Sequence, residues 1–350
     1  MLRHAGRWPG RRELRLADVV RSQAVAGPPR LWSDHAVTHD IIPTSITLLP
    51  RPPDGWFDYG YAVLWNGELA LLRTDRDIHS ALACWYDATR QGVDQGAQPD
   101  PRGARLRLSV FDGENESAEI EVPVGRWVLV DRLADGRWLV VSDPLEPASN
   151  IDARLYKPDG TPAGAFAIGN YVTRVQCAAD STIWAGYFDA SVLNRDTTIS
   201  SAGIARFDAD GRLMWRFDDQ KGRRLSVEDC YTLTLEGATL WSCFKPGFPI
   251  VRIAQGVVRY WRHDIYGADA LAVDGDHVLL VGAHGEHRSR SALLRLDGDD
   301  ARQVGMWAFR RPDRNTARLL QGRAATLHII GDGKWRKISV ASLLEGRVYH

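Results

Sequence analysis

Residues 229–309 carry one block of sequence written twice in tandem. The first copy reads DCYTLTLEG, ATLWSCFKPG, FPIVRIAQG, VVRYWRHD, and the second GADALAVDG, DHVLLVGAHG, SALLRLDGDD, ARQVGMWAF. Each copy is four apolar runs of strand length cut by Gly-containing turns, which predicts a small four-stranded antiparallel sheet. In a repeat array each such unit buries only its neighbours' faces, so a long chain needs no single large core.

The rest of the chain repeats the pattern. Units are expected at about 59–125, 126–170, 171–219, 229–264, 265–309 and 316–346. Asn66-Gly67, Asp135-Gly136, Asp159-Gly160, Asp210-Gly211 and Asp274-Gly275 punctuate them, because Gly and Asp accept the positive φ of a tight hairpin. The last unit has three strands and then the chain ends. An unassigned β-branched run at 44–49 supplies the missing one, since an open terminal edge would expose a row of unpaired backbone groups. These DG-punctuated units, at roughly 40 residues each, resemble a six-bladed β-propeller of the NHL or gluconolactonase-like kind. That resemblance implies an all-β ring of six four-stranded blades, closed by the N-terminal strand, over residues 37–350. It carries no activity with it. Residues 1–36 are expected to form a loosely ordered basic arm.

Composition excludes several classes. The formal net charge is zero, so there is no broad basic field for nucleic acid or an anionic membrane. No apolar run approaches the ~18 residues of a membrane span, and the N-terminus lacks the apolar region of a secretory signal. Cys84, Cys177, Cys230 and Cys243 form no CxxC pair and are expected to be reduced thiols in a cytoplasmic protein.

Within such a repeat, a residue type that recurs in every blade serves the architecture. Trp184, Trp241 and His328 share one position, and Trp215, Trp261 and Trp307 recur on outer strands; both sets are expected to pack blade against blade. Arg154, Arg206, Arg252 and Arg295, in strand three, are expected to face solvent or bridge blades. A position whose chemistry varies is free for function. The tight turns share the bottom face, while the irregular segments 75–103 and 190–202 fall on the top, which makes the top face the candidate site. Aligning the innermost strands on their turns brings Tyr61, Arg174, Tyr231, Asp269 and Arg318 into one ring, with Asp131 fitting after a one-residue shift. Such a ring either holds a zwitterionic or anionic ligand or closes the channel through an Asp269–Arg318 ion pair.

There is no Walker loop, GxGxxG, GxSxG or HExxH. No cofactor or metal is expected; His284, Glu286 and His287 are the residues that would furnish metal ligands. Glu228 and Asp229 are adjacent in a strand and point to opposite faces, so they do not form a dyad. The expected function is binding of a small molecule or protein at the top-face funnel, with an enzyme of hydrolase, lyase or cyclisation type in the same funnel as the alternative.

Overall fold

A computed structural model describes residues 39–78, 104–123, 128–142, 152–189, 199–217, 225–282, 288–312 and 318–346. The basic arm, Cys84, residues 79–103 of the irregular segment, and His284, Glu286 and His287 lie outside them. Among the described residues no helix is long and apolar enough to cross a membrane.

The described chain forms six four-stranded antiparallel sheets. Blade one is β2 (Phe57–Val63), β3 (Leu69–Thr74), β4 (Arg105–Phe111) and β5 (Glu116–Pro123). Blade two is β6 (Val128–Arg132), β7 (Trp138–Ser142), β8 (Ala153–Tyr156) and β9 (Pro162–Phe166). Blade three is β10 (Val172–Cys177), β11 (Ile183–Tyr187), β12 (Ile204–Phe207) and β13 (Leu213–Arg216). The tandem copies are blade four, β14 (Asp229–Glu236), β15 (Thr239–Lys245), β16 (Ile250–Ala254) and β17 (Val257–Trp261), and blade five, β18 (Ala270–Asp274), β19 (His277–Val281), β20 (Arg290–Asp297) and β21 (Asp300–Ala308). Blade six is β22 (Leu319–Arg323), β23 (Thr326–Gly331) and β24 (Lys334–Ser339), completed by β1 (Ser45–Leu48). Strand β1 pairs antiparallel with β24 from Ser45 opposite Lys337 to Leu48 opposite Lys334, so the first strand closes the last blade. The final apolar run departs from expectation. The strand stops at Ser339 and the chain turns into a short helix, α1 (Val340–Leu344), which buries Val340 and Leu343 against blades five and six.

The hairpins form for a local reason. Asn66, Asp135, Asp159 and Asp180 each accept, through the side-chain oxygen, the backbone N–H two residues on, at 2.9–3.2 Å. That bond stands in for a backbone turn contact. The blades cohere through apolar seams: Leu72, Leu106 and Leu108 meet Val130, Trp138 and Val140 between blades one and two, and Trp184 and Phe217 meet Leu233 and Phe244 between three and four. The recurrent tryptophans pair within a blade as well as between blades: Trp184 lies 5.7 Å from Trp215 in blade three, and Trp241 stacks on Trp261 at the same distance in blade four. Of the four strand-three arginines, Arg206 and Arg252 pair in register with Trp184 and Trp241 and lie over their rings. Arg154 and Arg295 fall elsewhere in the ladder, opposite Val140 and His277.

Candidate functional site

The six innermost strands surround a cavity of about 580 Å³. All of them contribute the half that lies away from the first hairpin turn, so the cavity belongs to the top of the ring. Tyr61, Arg174, Asp269 and Arg318 line it, together with Gln176, Arg311 and Gln321.

Beneath the cavity the channel is closed by side chains. Counting up from each hairpin, with the turn-closing pairs Leu64–Glu68, Leu133–Arg137 and Ala178–Thr182 as the first in blades one to three, the third pair places Ala62, Asp131, Gln176, Thr234, Ala272 and Gln321 on one level. Gln176 donates to the carbonyls of Leu233 (3.0 Å) and Gly322 (3.1 Å) and accepts from the Leu235 amide (3.0 Å), tying blade three to blades four and six. Gln321 holds both the N–H and the C=O of Val63 in blade one. Thr234 donates to the Leu271 carbonyl of blade five at 2.8 Å. Arg323, from blade six, donates to the carbonyls of Val63 and Cys177, each at 2.9 Å, and pairs with the Asp131 carboxylate. One guanidinium thereby touches blades one, two and three. Gly322 is required here: a Cβ on it would fall 1.6 Å from the Leu271 carbonyl oxygen. Among the described residues, side chains thus close the funnel below.

Asp131 is thus part of the seal and not of the upper ring. Burial pushes its carboxyl above the usual range, opposed by Arg323 and by the amides of Cys177 and Arg132, each 2.8 Å away. Tyr61 reaches the cavity wall, but its hydroxyl is bonded to Asp58, and its ring packs between blades one and six with Ile330 and Trp335. Asp269 pairs with Arg311, a residue of the link after β21. Tyr231 is not among the wall residues; its carbonyl is what the wall uses, as an acceptor for Arg174. Its phenol stands with the Asp229 carboxyl and the Lys245 ammonium, edge-on to Phe248 with 5.0 Å between ring centres. Asp229 is nearly buried, and burial, with Asp189 nearby, raises its pKa.

Arg174 is the wall residue that stands out. A backbone bulge between Val172 and Arg174 sets its place on the strand, and Gly186 opposite leaves room beside Cys230, whose sulfur would lie 2.5 Å from an added Cβ. Nε donates to the Tyr231 carbonyl (3.2 Å) and Nη1 to the Thr173 carbonyl (2.8 Å). Among the described residues no carboxylate lies within ion-pair distance of it; Asp229 acts on it only from farther off. Burial lowers its pKa, although the residue as a whole is only half-buried.

Among the described residues no group of three or more His, Cys, Asp or Glu is placed to hold a metal ion. Ser242, spaced like a Ser–Lys partner of Lys245, is fully buried and donates to the Thr232 carbonyl at 2.7 Å. Cys177, Cys230 and Cys243 are free and buried, and burial raises each thiol's pKa.

No family model matches the sequence, and no curated protein matches it. Among solved structures the chain is similar to the β-propeller domain of the Trilobed protease from Pyrococcus furiosus, at 10% identity over 82% of this chain and 86% of that one, with a TM-score of 0.43. It is also similar to a gluconolactonase from Xanthomonas campestris (12% identity, 85% and 98% covered, TM-score 0.38). A third is the Cps50 β-propeller domain from Myceliophteria thermophila (10% identity, 84% and 99% covered, TM-score 0.45). The six-bladed assignment stands on the chain's own sheet order and register.

Proposed function

We propose that the chain is a binding module whose funnel takes a small anionic molecule, with Arg174 as its anchor. The observation that carries this reading is a half-buried guanidinium in the cavity wall, bonded to two carbonyls and with no carboxylate within ion-pair distance among the described residues. Holding a cation in that way is costly unless an anion answers it. The described wall bears three arginines, Arg174, Arg311 and Arg318, against one carboxylate, Asp269, so its local balance favours negative charge. The cavity volume falls within the ~300–1,000 Å³ usual for small-ligand sites.

The test is isothermal titration of the purified chain with small carboxylates and phosphates. Arg174→Met is expected to abolish binding and Arg174→Lys to keep part of it, with both melting within a few degrees of wild type. Equal affinity in wild type and Arg174→Met would overturn the assignment.

One observation favours a second reading, an enzyme acting at the same mouth. Asp229, with its raised pKa, sits with Tyr231 and Lys245, and the Tyr231 carbonyl is bonded to Arg174. A carboxyl poised in this way is suited to proton transfer. This reading predicts turnover of the bound anion that Asp229→Asn removes without weakening binding. Turnover unchanged in Asp229→Asn would exclude the cluster as the source.

A further inference from the structure

The remainder of the funnel wall constrains what is attached to the anion. Apolar residues Leu129, Val130, Val175, Leu233, Ala270 and Leu320 border the cavity from five of the six blades. Apart from the arginines, several of the polar side chains in the wall bond the protein itself. Gln176 makes three bonds and Gln321 two, all to backbone. The Thr173 hydroxyl donates to the Gly186 carbonyl, and the Thr232 hydroxyl accepts from the Cys243 amide. The Tyr61 hydroxyl is held by Asp58. At the mouth, Asp269 already answers Arg311.

Resting on the anion-binding reading, we infer that the occupant is an amphipathic monoanion, an acyl or aryl carboxylate with an unsubstituted hydrocarbon body. The carboxylate meets Arg174, and the body fills the space above the Gln176–Gln321 level. A polyhydroxylated acid or a sugar phosphate is disfavoured on the same grounds. Each hydroxyl taken into such a wall without a partner lowers affinity by roughly tenfold. Each methylene added to a hydrocarbon body raises it about fourfold, until the cavity is full.

The experiment is a calorimetric titration of the full chain with butanoate, hexanoate, octanoate, octan-1-ol, gluconate and glucose 6-phosphate. It is repeated on Arg174→Met. The expected result is affinity climbing about fourfold per methylene along the carboxylates, with octan-1-ol, gluconate and the sugar phosphate all far weaker than octanoate. Arg174→Met should lose the preference for octanoate over octan-1-ol. Gluconate or glucose 6-phosphate binding as tightly as octanoate overturns the hydrocarbon inference and leaves the anion reading standing. Octan-1-ol matching octanoate, or Arg174→Met binding octanoate like wild type, overturns both. So does the absence of binding by every compound.

Discussion

Replacing Arg323 by Met tests the seal beneath the funnel. The substitution keeps the volume of the aliphatic stem and removes five donors at once. The carbonyls of Val63 and Cys177 lose partners 2.9 Å away, and each lost bond of this kind costs about 1 kcal/mol. Asp131 loses its cation in a place where its side chain is 1% exposed and that of Arg323 8%. Breaking a buried ion pair from one side costs about 3–5 kcal/mol, because the surviving charge stays behind unanswered. Asp131→Asn strands the cation in the same way and is expected to cost a similar amount. The double variant strands no charge, so it should lie near either single variant and well short of their sum. At roughly 2 °C per kcal/mol for a chain of this size, Asp131→Asn should melt about 6–10 °C below wild type and Arg323→Met, which also loses the two carbonyl bonds, about 10–14 °C below it in scanning calorimetry.

A pH comparison sharpens the test. Without Arg323, the Asp131 carboxyl, already pushed up by burial, takes a proton more readily. The folded Arg323→Met variant then binds a proton before the unfolded chain does, so its deficit should shrink on going from pH 8 to pH 5. Single variants that melt like wild type, or a double variant equal to the sum of the singles, would show that the pair does not hold the blades together.

Three further outcomes are expected. His328 and His263 are held neutral by burial, with pKa values lowered to about 3 and about 4, so as pH falls below 6.5 the unfolded chain binds protons first. Stability is full above neutral pH and lost on acidification by about 2 kcal/mol per histidine at pH 5. Asp152, raised by burial to about 6, works with the opposite sign, since the folded state protonates first. The clean readout is therefore His328→Gln, whose Oε1 can still accept from Trp335; its denaturation midpoint should vary less between pH 8 and pH 5 than that of wild type. Gly322→Ala drives a methyl into the Leu271 carbonyl and should destabilise by more than about 3 kcal/mol, measured by urea denaturation; a loss under 1 kcal/mol would contradict the close approach of the inner strands. Removing residues 1–36 should leave the melting temperature nearly unchanged, whereas removing 1–52 strips β1 from β24 and should produce aggregation visible by light scattering. Identical behaviour of the two truncations would dissociate ring closure from that strand.

Features written in local chemistry were legible in the sequence. Asn66, Asp135 and Asp159 cap their own turns, so the hairpins, the blade boundaries and the count of six follow from short windows. The clasp was legible for a different reason: a three-stranded terminal unit and an unassigned β-branched run imply each other. The ring of candidate residues was legible only in part. Counting back from each turn assumes strands without irregularity, yet the inner strands of blades one, three and four carry register shifts at Asp58/Gly60, Val172/Arg174 and Cys230/Thr232. A bulge adds a residue without adding a ladder pair, so positions equal in sequence count stand at different heights. Tyr231 lies inside its shift and is displaced by it, while Tyr61 and Arg174 sit on the turn side of theirs, at different heights on the ladder. Asp131 follows an unbroken ladder instead, and its need for a one-residue shift was the sign that it belongs to the lower level. The seal was hidden by distance as well, since Arg323 and Asp131 lie 192 residues apart. One signal of it is present in the chain. At the sealed level, blades one and five carry alanine, while the other four carry Asp131, Gln176, Thr234 and Gln321. A polar side chain beside a sealed axis must find partners there, and the two alanines leave it the room to do so. The same reasoning sets Arg174 apart, two residues along its strand from the sealed level: its bonds go to two carbonyls, and it borders the cavity.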